Sequence, residues 1–279
     1  MISYNFDYFQ PNTIQEAMDL FQTLQEQQKD PVYFSGGTEM ITLGRVNKMT
    51  AGAVIDIKHI PECQTFEEEN GQLTLGSALT LTKIRNMKKY PLLEDVISEI
   101  ADHTSRNKIT LGGNICANII YREAVLPFLL TDSHVVIATQ EGLKEKPINE
   151  LFNQKLQLNS GELLVQIKIN LEDLTLPYFT MKKRRQWGVG YPLITIAAIE
   201  KEGQIRTAFS GLCAFPFRSN KMEEQLNNNN LKEKERTEKA IQHIPGDVLN
   251  DVHGSDGYRK FMLKNILEDT IHAIGKERD

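Results

Sequence analysis

Ser35-Gly36-Gly37-Thr38-Glu39 and Thr110-Leu111-Gly112-Gly113-Asn114 are the stretches whose residue types can do chemistry. A double glycine lets the backbone take positive φ and lets another group come close with no Cβ in the way. Successive amides in such a turn converge into a concave nest for an anion. The flanking serine, threonine and asparagine side chains add neutral hydrogen-bond donors. Taken singly, each stretch reads as a plain tight turn. Facing each other, the two would hold a dinucleotide diphosphate without any lysine. Neither common phosphate fingerprint accompanies them. Gly188-Val189-Gly190 supplies the first two glycines of a dinucleotide-binding turn, but Leu193 stands at the third position, and no lysine follows in a Walker arrangement.

The elements that must position these turns alternate in type. Thr13 and Glu16 form a capping box ahead of Ile14, Ala17, Met18, Phe21 and Leu24, whose spacing predicts a helix with one buried face. Residues 31–34 read as a short strand halted by the first turn, and 54–57 as a second strand. Residues 73–77 alternate like a strand, 92–100 read as a helix after Pro91, and 135–138 are a short buried run. Leu163, Val165, Ile167 and Ile169 alternate with Leu164, Gln166 and Lys168, which predicts another strand. Composition shifts near Leu176-Pro177. Beyond it come the basic run Lys182-Lys183-Arg184-Arg185, which reads first as a solvated strand end, and an apolar strand over 193–199. A hairpin through Lys201-Glu202-Gly203-Gln204 follows, then helices near 219–226, 232–243 and 258–274. Asn227 to Asn230 reads as a solvated turn. The pattern predicts an α+β protein of two or three subdomains, with no solenoid repeat.

Composition narrows the function classes. At 279 residues, 40% hydrophobic and 25% charged, the chain can bury one large core or several smaller ones. A formal net charge of -5 disfavours broad binding to nucleic acid. No run approaches the ~18 apolar residues of a membrane span, and Met1 to Asp7 carry no basic-then-apolar signal. Cys63, Cys116 and Cys213 are scattered and odd in number, which fits a reducing, cytoplasmic setting and excludes a Cys-x-x-Cys iron–sulfur or zinc frame. His59, His103, His134, His243, His253 and His272 show no metal-ligand spacing, so no metal site is expected. Asp56 reads as a hydrogen-bonded structural carboxylate and Trp187 as a core or interface anchor. No acid–base or nucleophilic constellation stands out, which suits a protein that leaves redox chemistry to a cofactor.

Several ordered motifs then carry a resemblance. Ser35 to Glu39 matches an Ala-Gly-Gly-Thr-Asp-type loop, followed by Val54-Ile55-Asp56-Ile57 and by Leu75-Gly76-Ser77-Ala78-Leu79-Thr80. Arg106-Asn107-Lys108-Ile109-Thr110-Leu111-Gly112-Gly113-Asn114 matches an Arg-Asn-x-x-Thr-x-Gly-Gly-Asn signature, and Pro216-Phe217-Arg218 a Pro-x-Arg element. In this order, over roughly residues 4 to 220, the chain resembles the flavin-binding (medium) subunits of molybdenum hydroxylases, the group of xanthine dehydrogenase and carbon monoxide dehydrogenase medium subunits.

The resemblance implies a two-part N-terminal FAD-binding region, PCMH-like, at 1–58 and 59–176, and a C-terminal α/β domain at 177–279 with a small antiparallel sheet and helices. FAD would lie between them. Val32, Tyr33, Phe34, Ser35, Gly36, Gly37, Thr38 and Glu39, with Thr110, Leu111, Gly112, Gly113 and Asn114, would wrap its diphosphate and ribityl parts. Leu163 or Leu164 would lie against the flavin ring. Glu123, nine residues after Asn114, stands where the family places an aspartate. Phe179 and either Lys182 or Lys183 match its Phe-x-Lys segment, and Tyr191 an aromatic position near the flavin. The implied partners are an iron–sulfur small subunit and a molybdenum-pterin large subunit, with electrons passing through FAD to NAD or another acceptor. The alternatives are a flavin-free structural or maturation subunit, and a free-standing FAD oxidoreductase of the same fold.

Overall fold

Thr13 caps the first helix as its position demands. Its hydroxyl accepts the Glu16 amide at 3.1 Å, and the Glu16 carboxylate turns back one residue further than in an ideal capping box, to the Asn12 amide at 2.7 Å. This helix, α1 (Ile14–Glu26), buries Ala17, Met18 and Leu24. It packs them on a parallel sheet of β1 (Asp7–Phe9), β2 (Pro31–Phe34) and β3 (Ala53–Asp56), ordered β1-β3-β2. The chain leaves β2 through the first glycine pair and enters α2 (Thr38–Arg45). The computed structural model describes residues 2–185 and 190–275; Trp187 and the Gly188-Val189 pair lie outside the described residues.

A larger antiparallel sheet follows. It uses β4 (Phe66–Glu69), β5 (Gln72–Gly76), β6 (His134–Thr139) and β7 (Gly142–Pro147), then, past the short hairpin β8 (Phe152–Asn153) and β9 (Lys155–Leu156), β10 (Leu163–Asn170). The order is β4-β5-β10-β6-β7. Between β5 and β6 run α3 (Leu81–Met87), α4 (Pro91–Ser98), α5 (His103–Arg106), α6 (Leu111–Ile115) and α7 (Leu126–Leu130); α8 (Ile148–Leu151) follows β7. The alternation expected in β10 is broken. A bulge between Leu164 and Gln166 sends Leu163 and Val165 into the core of the first sheet, but Leu164, Ile167 and Ile169 into the larger core. An extra residue flips the side-chain phase, so one strand serves two cores.

The third sheet joins β11 (Tyr178–Lys183), β12 (Ile194–Lys201), β13 (Gln204–Ser210) and β14 (Phe217–Arg218) in sequence order. Glu202 and Gly203, at φ 56° and 72°, supply the paired left-handed residues of a tight hairpin. Helices α9 (Asn220–Leu226), α10 (Glu233–Ile241) and α11 (Asp256–Gly275) cover one face through Met222, Ala240, Leu263 and Leu267. The opposite face carries Ala197, Ile199 and Ala208 into the large core of the second sheet. The asparagine tract is more than a solvated turn: Asn227 accepts the Ile205 amide and donates to its carbonyl, both at 2.8 Å, closing β13 where β14 does not reach. The architecture is the mixed α+β one that the sequence predicts.

Candidate functional site

The two glycine stretches meet. Gly37 ends the first turn in the left-handed region at φ 69° and serves as the N-cap of α2, which no side chain caps. Four N-terminal amides of a helix need acceptors from outside it, so this end is a ready anion site. A Cβ on Gly37 would overlap the Phe34 ring, and one on Gly36 would overlap the Lys108 carbonyl and sit 3.2 Å from the Thr110 amide nitrogen. Gly36 is therefore where the first turn touches the second stretch.

That second stretch is no left-handed turn. Leu111–Ile115 is a short helix, and Thr110 caps it by accepting the Gly113 amide at 3.3 Å. Its glycines serve close approach instead: a Cβ on Gly112 would lie 2.6 Å from the Ser77 Cβ, and one on Gly113 2.7 Å from the Thr110 hydroxyl oxygen. The Leu111 and Gly112 amides donate to the carbonyls of Leu79 and Ser77 at 2.9 and 2.8 Å. Positive φ is thus realised at Gly37 alone among the four glycines. One stretch offers open amides and the other is self-capped.

Polar groups around the contact divide into fasteners and free groups. Glu39 accepts the amides of Asn118 and Ile119 at 2.9 and 2.8 Å, tying the chain after α6 to the first turn. Asn114 accepts the Ala124 amide at 3.1 Å. The Ser35 hydroxyl is buried with no hydrogen-bond partner among the described residues. Tyr33 faces away, stacking on Phe21 at 5.0 Å and donating to the Gly161 carbonyl at 2.9 Å. Val32 and Phe34 pack around Met40, Ala51 and Val54.

A lysine that the sequence reading passed over stands beside this turn. Lys58 donates to the Ser35 carbonyl at 3.0 Å and to Asp56 at 2.6 Å, with its ammonium 4.5 Å from the centre of the Phe34 ring. Asp56, 1% exposed, also accepts the Tyr8 hydroxyl and the Lys58 amide, so it is the bonded structural carboxylate its strand position implies. The spacing Asp-x-Lys was the available signal.

Strand phase sorts the C-terminal residues. In β11, Tyr178, Thr180 and Lys182 share one face and Phe179, Met181 and Lys183 the other. Phe179 and Met181 pack in the C-terminal core. Lys182 turns to the second sheet's layer, where it pairs with Glu123 at 2.8 Å, the two side chains 3% and 5% exposed, and donates to the Glu99 carbonyl at 2.8 Å. The solvated-end reading of the basic run is therefore wrong for Lys182. Thr195, which the sequence reading missed, completes the cluster by donating to Glu123 at 2.6 Å. Burial holds the Lys182 ammonium below the ordinary lysine range, with Glu123 opposing that shift. Tyr191, half exposed, stacks on buried Tyr121 at 4.7 Å and 15°. Leu163 and Leu164, 5% and 3% exposed, leave little side-chain surface for a ligand.

Three carboxylates predict an acid weakness. Burial alone would raise Asp56, Asp132 and Asp251. Bonds from Lys58 and Tyr8, from Arg206 and Arg218, and from the His253 amide and Arg259, respectively, outweigh it and hold all three below the ordinary range. A lowered native pKa gives stability that is present above the unfolded value of about 3.9 and is lost as pH falls through the native one. The thermal midpoint should therefore drop most steeply below about pH 4, and less steeply in Asp132→Asn. A midpoint equally flat in both proteins down to about pH 3 would contradict this.

The open amides at α2, the unpartnered Ser35 hydroxyl and the glycine-only gap fit a diphosphate-bearing cofactor. Residues 4–170 match the family described as the FAD binding domain in molybdopterin dehydrogenase. The 6-hydroxypseudooxynicotine dehydrogenase complex subunit alpha of Paenarthrobacter nicotinovorans is 22% identical over 279 residues, 96% of this chain and 93% of its own. The xanthine dehydrogenase FAD-binding subunit of Escherichia coli O157:H7 is 27% identical over 264 residues, 86% and 89% of the two chains. In fold, a chain of carbon monoxide dehydrogenase from Hydrogenophaga pseudoflava superposes with a TM-score of 0.86 at 20% identity, covering 99% of both chains. No helix among the described residues is long and apolar enough to cross a membrane. The match spans most of the chain and coincides with the sheets that carry both glycine stretches: this protein belongs to the FAD-binding subunits of the molybdenum hydroxylase family, and its cofactor is FAD.

Proposed function

We propose that this chain is the flavin station of a xanthine dehydrogenase-type complex, and that FAD sits where the two glycine stretches meet. The carrying observation is the contact of Gly36 with the Lys108 backbone beside the uncapped start of α2. Residues Ser35 to Thr38 would bind the diphosphate through backbone amides and the free Ser35 hydroxyl. Thr110 to Asn114 would flank the ribityl part, and Glu39 ties the chain at Asn118 and Ile119 to the first turn. Lys182, Glu123 and Tyr191 would border the ring. Because Lys182 is neutralised by Glu123 and both side chains are almost wholly buried, the pair would shape that edge from behind rather than present a free positive charge to the ring. When bound, FAD supplies two-electron and one-electron redox chemistry that no side chain here provides.

Cys63, Cys116 and Cys213 are unpaired thiols with no cluster-binding frame, so iron–sulfur clusters would belong to a small subunit and the molybdenum-pterin to a large one. The same free thiols support a cytoplasmic setting. Divisions at 58/59 and 176/177 would separate the three sheet-bearing parts. NAD is the proposed acceptor. Co-expression with a cysteine-rich small chain and a large chain should yield one complex whose flavin is bleached by purine substrate and restored by NAD. Turnover of NADH with an artificial acceptor by this chain alone, and no assembly with partners, would instead make it a free-standing oxidoreductase.

A further inference from the structure

Lys58 lies outside the glycine motifs, yet it grips both residues that lead into the first of them. We infer that Lys58 is a positioning residue for FAD binding: anchored by Asp56, its ammonium pins the Ser35 carbonyl and the Phe34 ring, and so fixes the backbone from which the Gly36, Gly37 and Thr38 amides meet the diphosphate. The inference rests on the reading that places FAD at this turn.

Asp56 ends β3 in register with Phe34 at the end of β2, so the anchor and the turn start from one sheet edge. The carboxylate is fixed by the Tyr8 hydroxyl and by the Lys58 amide at 3.0 Å, which leaves it no freedom to follow the lysine. Lys58 then sits on the one-turn helix Ile57–His59, and its ammonium reaches back 23 residues in sequence to the Ser35 carbonyl at 3.0 Å.

The Phe34 ring under that ammonium, 4.5 Å from its centre, is the group that a Cβ on Gly37 would overlap. A cation over an aromatic face attracts it, so the ring that backs Gly37 is held in place. Glycine pairs are the most mobile backbone a chain can carry. A turn that must present several amides at once gains affinity from being ordered before the ligand arrives. Lys58 supplies that order from one side and Glu39 from the other.

The test is titration of the full-length apo chain with FAD, followed by flavin fluorescence, beside the thermal midpoint of each apo variant. Lys58→Met should weaken FAD binding about tenfold, while its apo midpoint falls by only several degrees because Asp56 keeps the Tyr8 hydroxyl and the backbone amide at position 58 as donors. Lys58→Arg, which keeps the cation, should stay within about threefold. Lys58→Gln retains a donor for the Ser35 carbonyl and serves if the methionine variant does not fold; its affinity should fall between the two. If Lys58→Met binds FAD like the parent while Gly36→Val has lost it, the inference is overturned and the site stands. If Gly36→Val also binds like the parent, the site itself is misplaced. If affinity and apo stability fall together and arginine rescues neither, Lys58 is merely structural and the inference is likewise overturned.

Discussion

Gly36→Val is expected to leave a folded chain that no longer retains FAD. Any Cβ at this position would overlap the Lys108 carbonyl, and a backbone carbonyl cannot swing aside as the tip of a long side chain can. The two glycine stretches must separate instead. Overpacking of this kind costs about 1–3 kcal/mol of stability. The cofactor loses as well, because an ångström-scale displacement within a preorganised site brings losses on the order of a hundredfold, about 2.7 kcal/mol. Gly257→Ala is the matched control: it lies in the first turn of α11 with nothing near its missing Cβ, and should keep FAD and change stability by less than about 1 kcal/mol. Retention of FAD through gel filtration by Gly36→Val would contradict the account.

Lys182→Met should carry the largest cost in stability. The ion pair with Glu123 is almost wholly removed from water, the side chains being 3% and 5% exposed. Deleting the ammonium leaves a buried carboxylate whose remaining side-chain donor among the described residues is the Thr195 hydroxyl. Breaking one half of such a pair costs about 3–5 kcal/mol, whereas replacing both halves by neutral groups is often close to neutral. Urea unfolding should show that loss for Lys182→Met and recovery of more than about half of it in Glu123→Gln/Lys182→Met, a coupling that the double-mutant cycle isolates. Lys183→Met, on the opposite face of β11, should change stability by less than about 1 kcal/mol. Equal effects at the two lysines would mean that the strand phase is misread.

What the sequence could reveal follows from how local each signal is. The first helix, β2 and the hairpin at Glu202-Gly203 were legible because caps, periodicity and turn chemistry act over a few residues. Gly37 was legible for the same reason, since a left-handed turn names its own residue. Gly112 was found for a reason that turned out different. It sits in a helix and is small because Ser77 lies against it, a packing demand set 35 residues away in the chain. The choice between Lys182 and Lys183 stayed open in the sequence because it depends on the phase of β11, which one neighbouring residue reverses. Lys58 and Thr195 were missed because their partners, the Ser35 carbonyl and Glu123, lie 23 and 72 residues distant. Burial at β10 was anticipated as simple alternation, and only the bulge explains why Leu163 and Leu164 feed different cores.

Hydrogen exchange of the full-length chain with and without FAD tests the central claim most directly, because it reads the amides themselves. FAD should slow exchange at Gly36, Gly37, Thr38 and Glu39, where α2 begins without a cap. Protection should extend to the segment 110–114 and to the β11 end near Lys182. Protection confined to any other part of the chain, with the 35–39 amides exchanging as fast as before, would contradict the placement of FAD between the two glycine stretches.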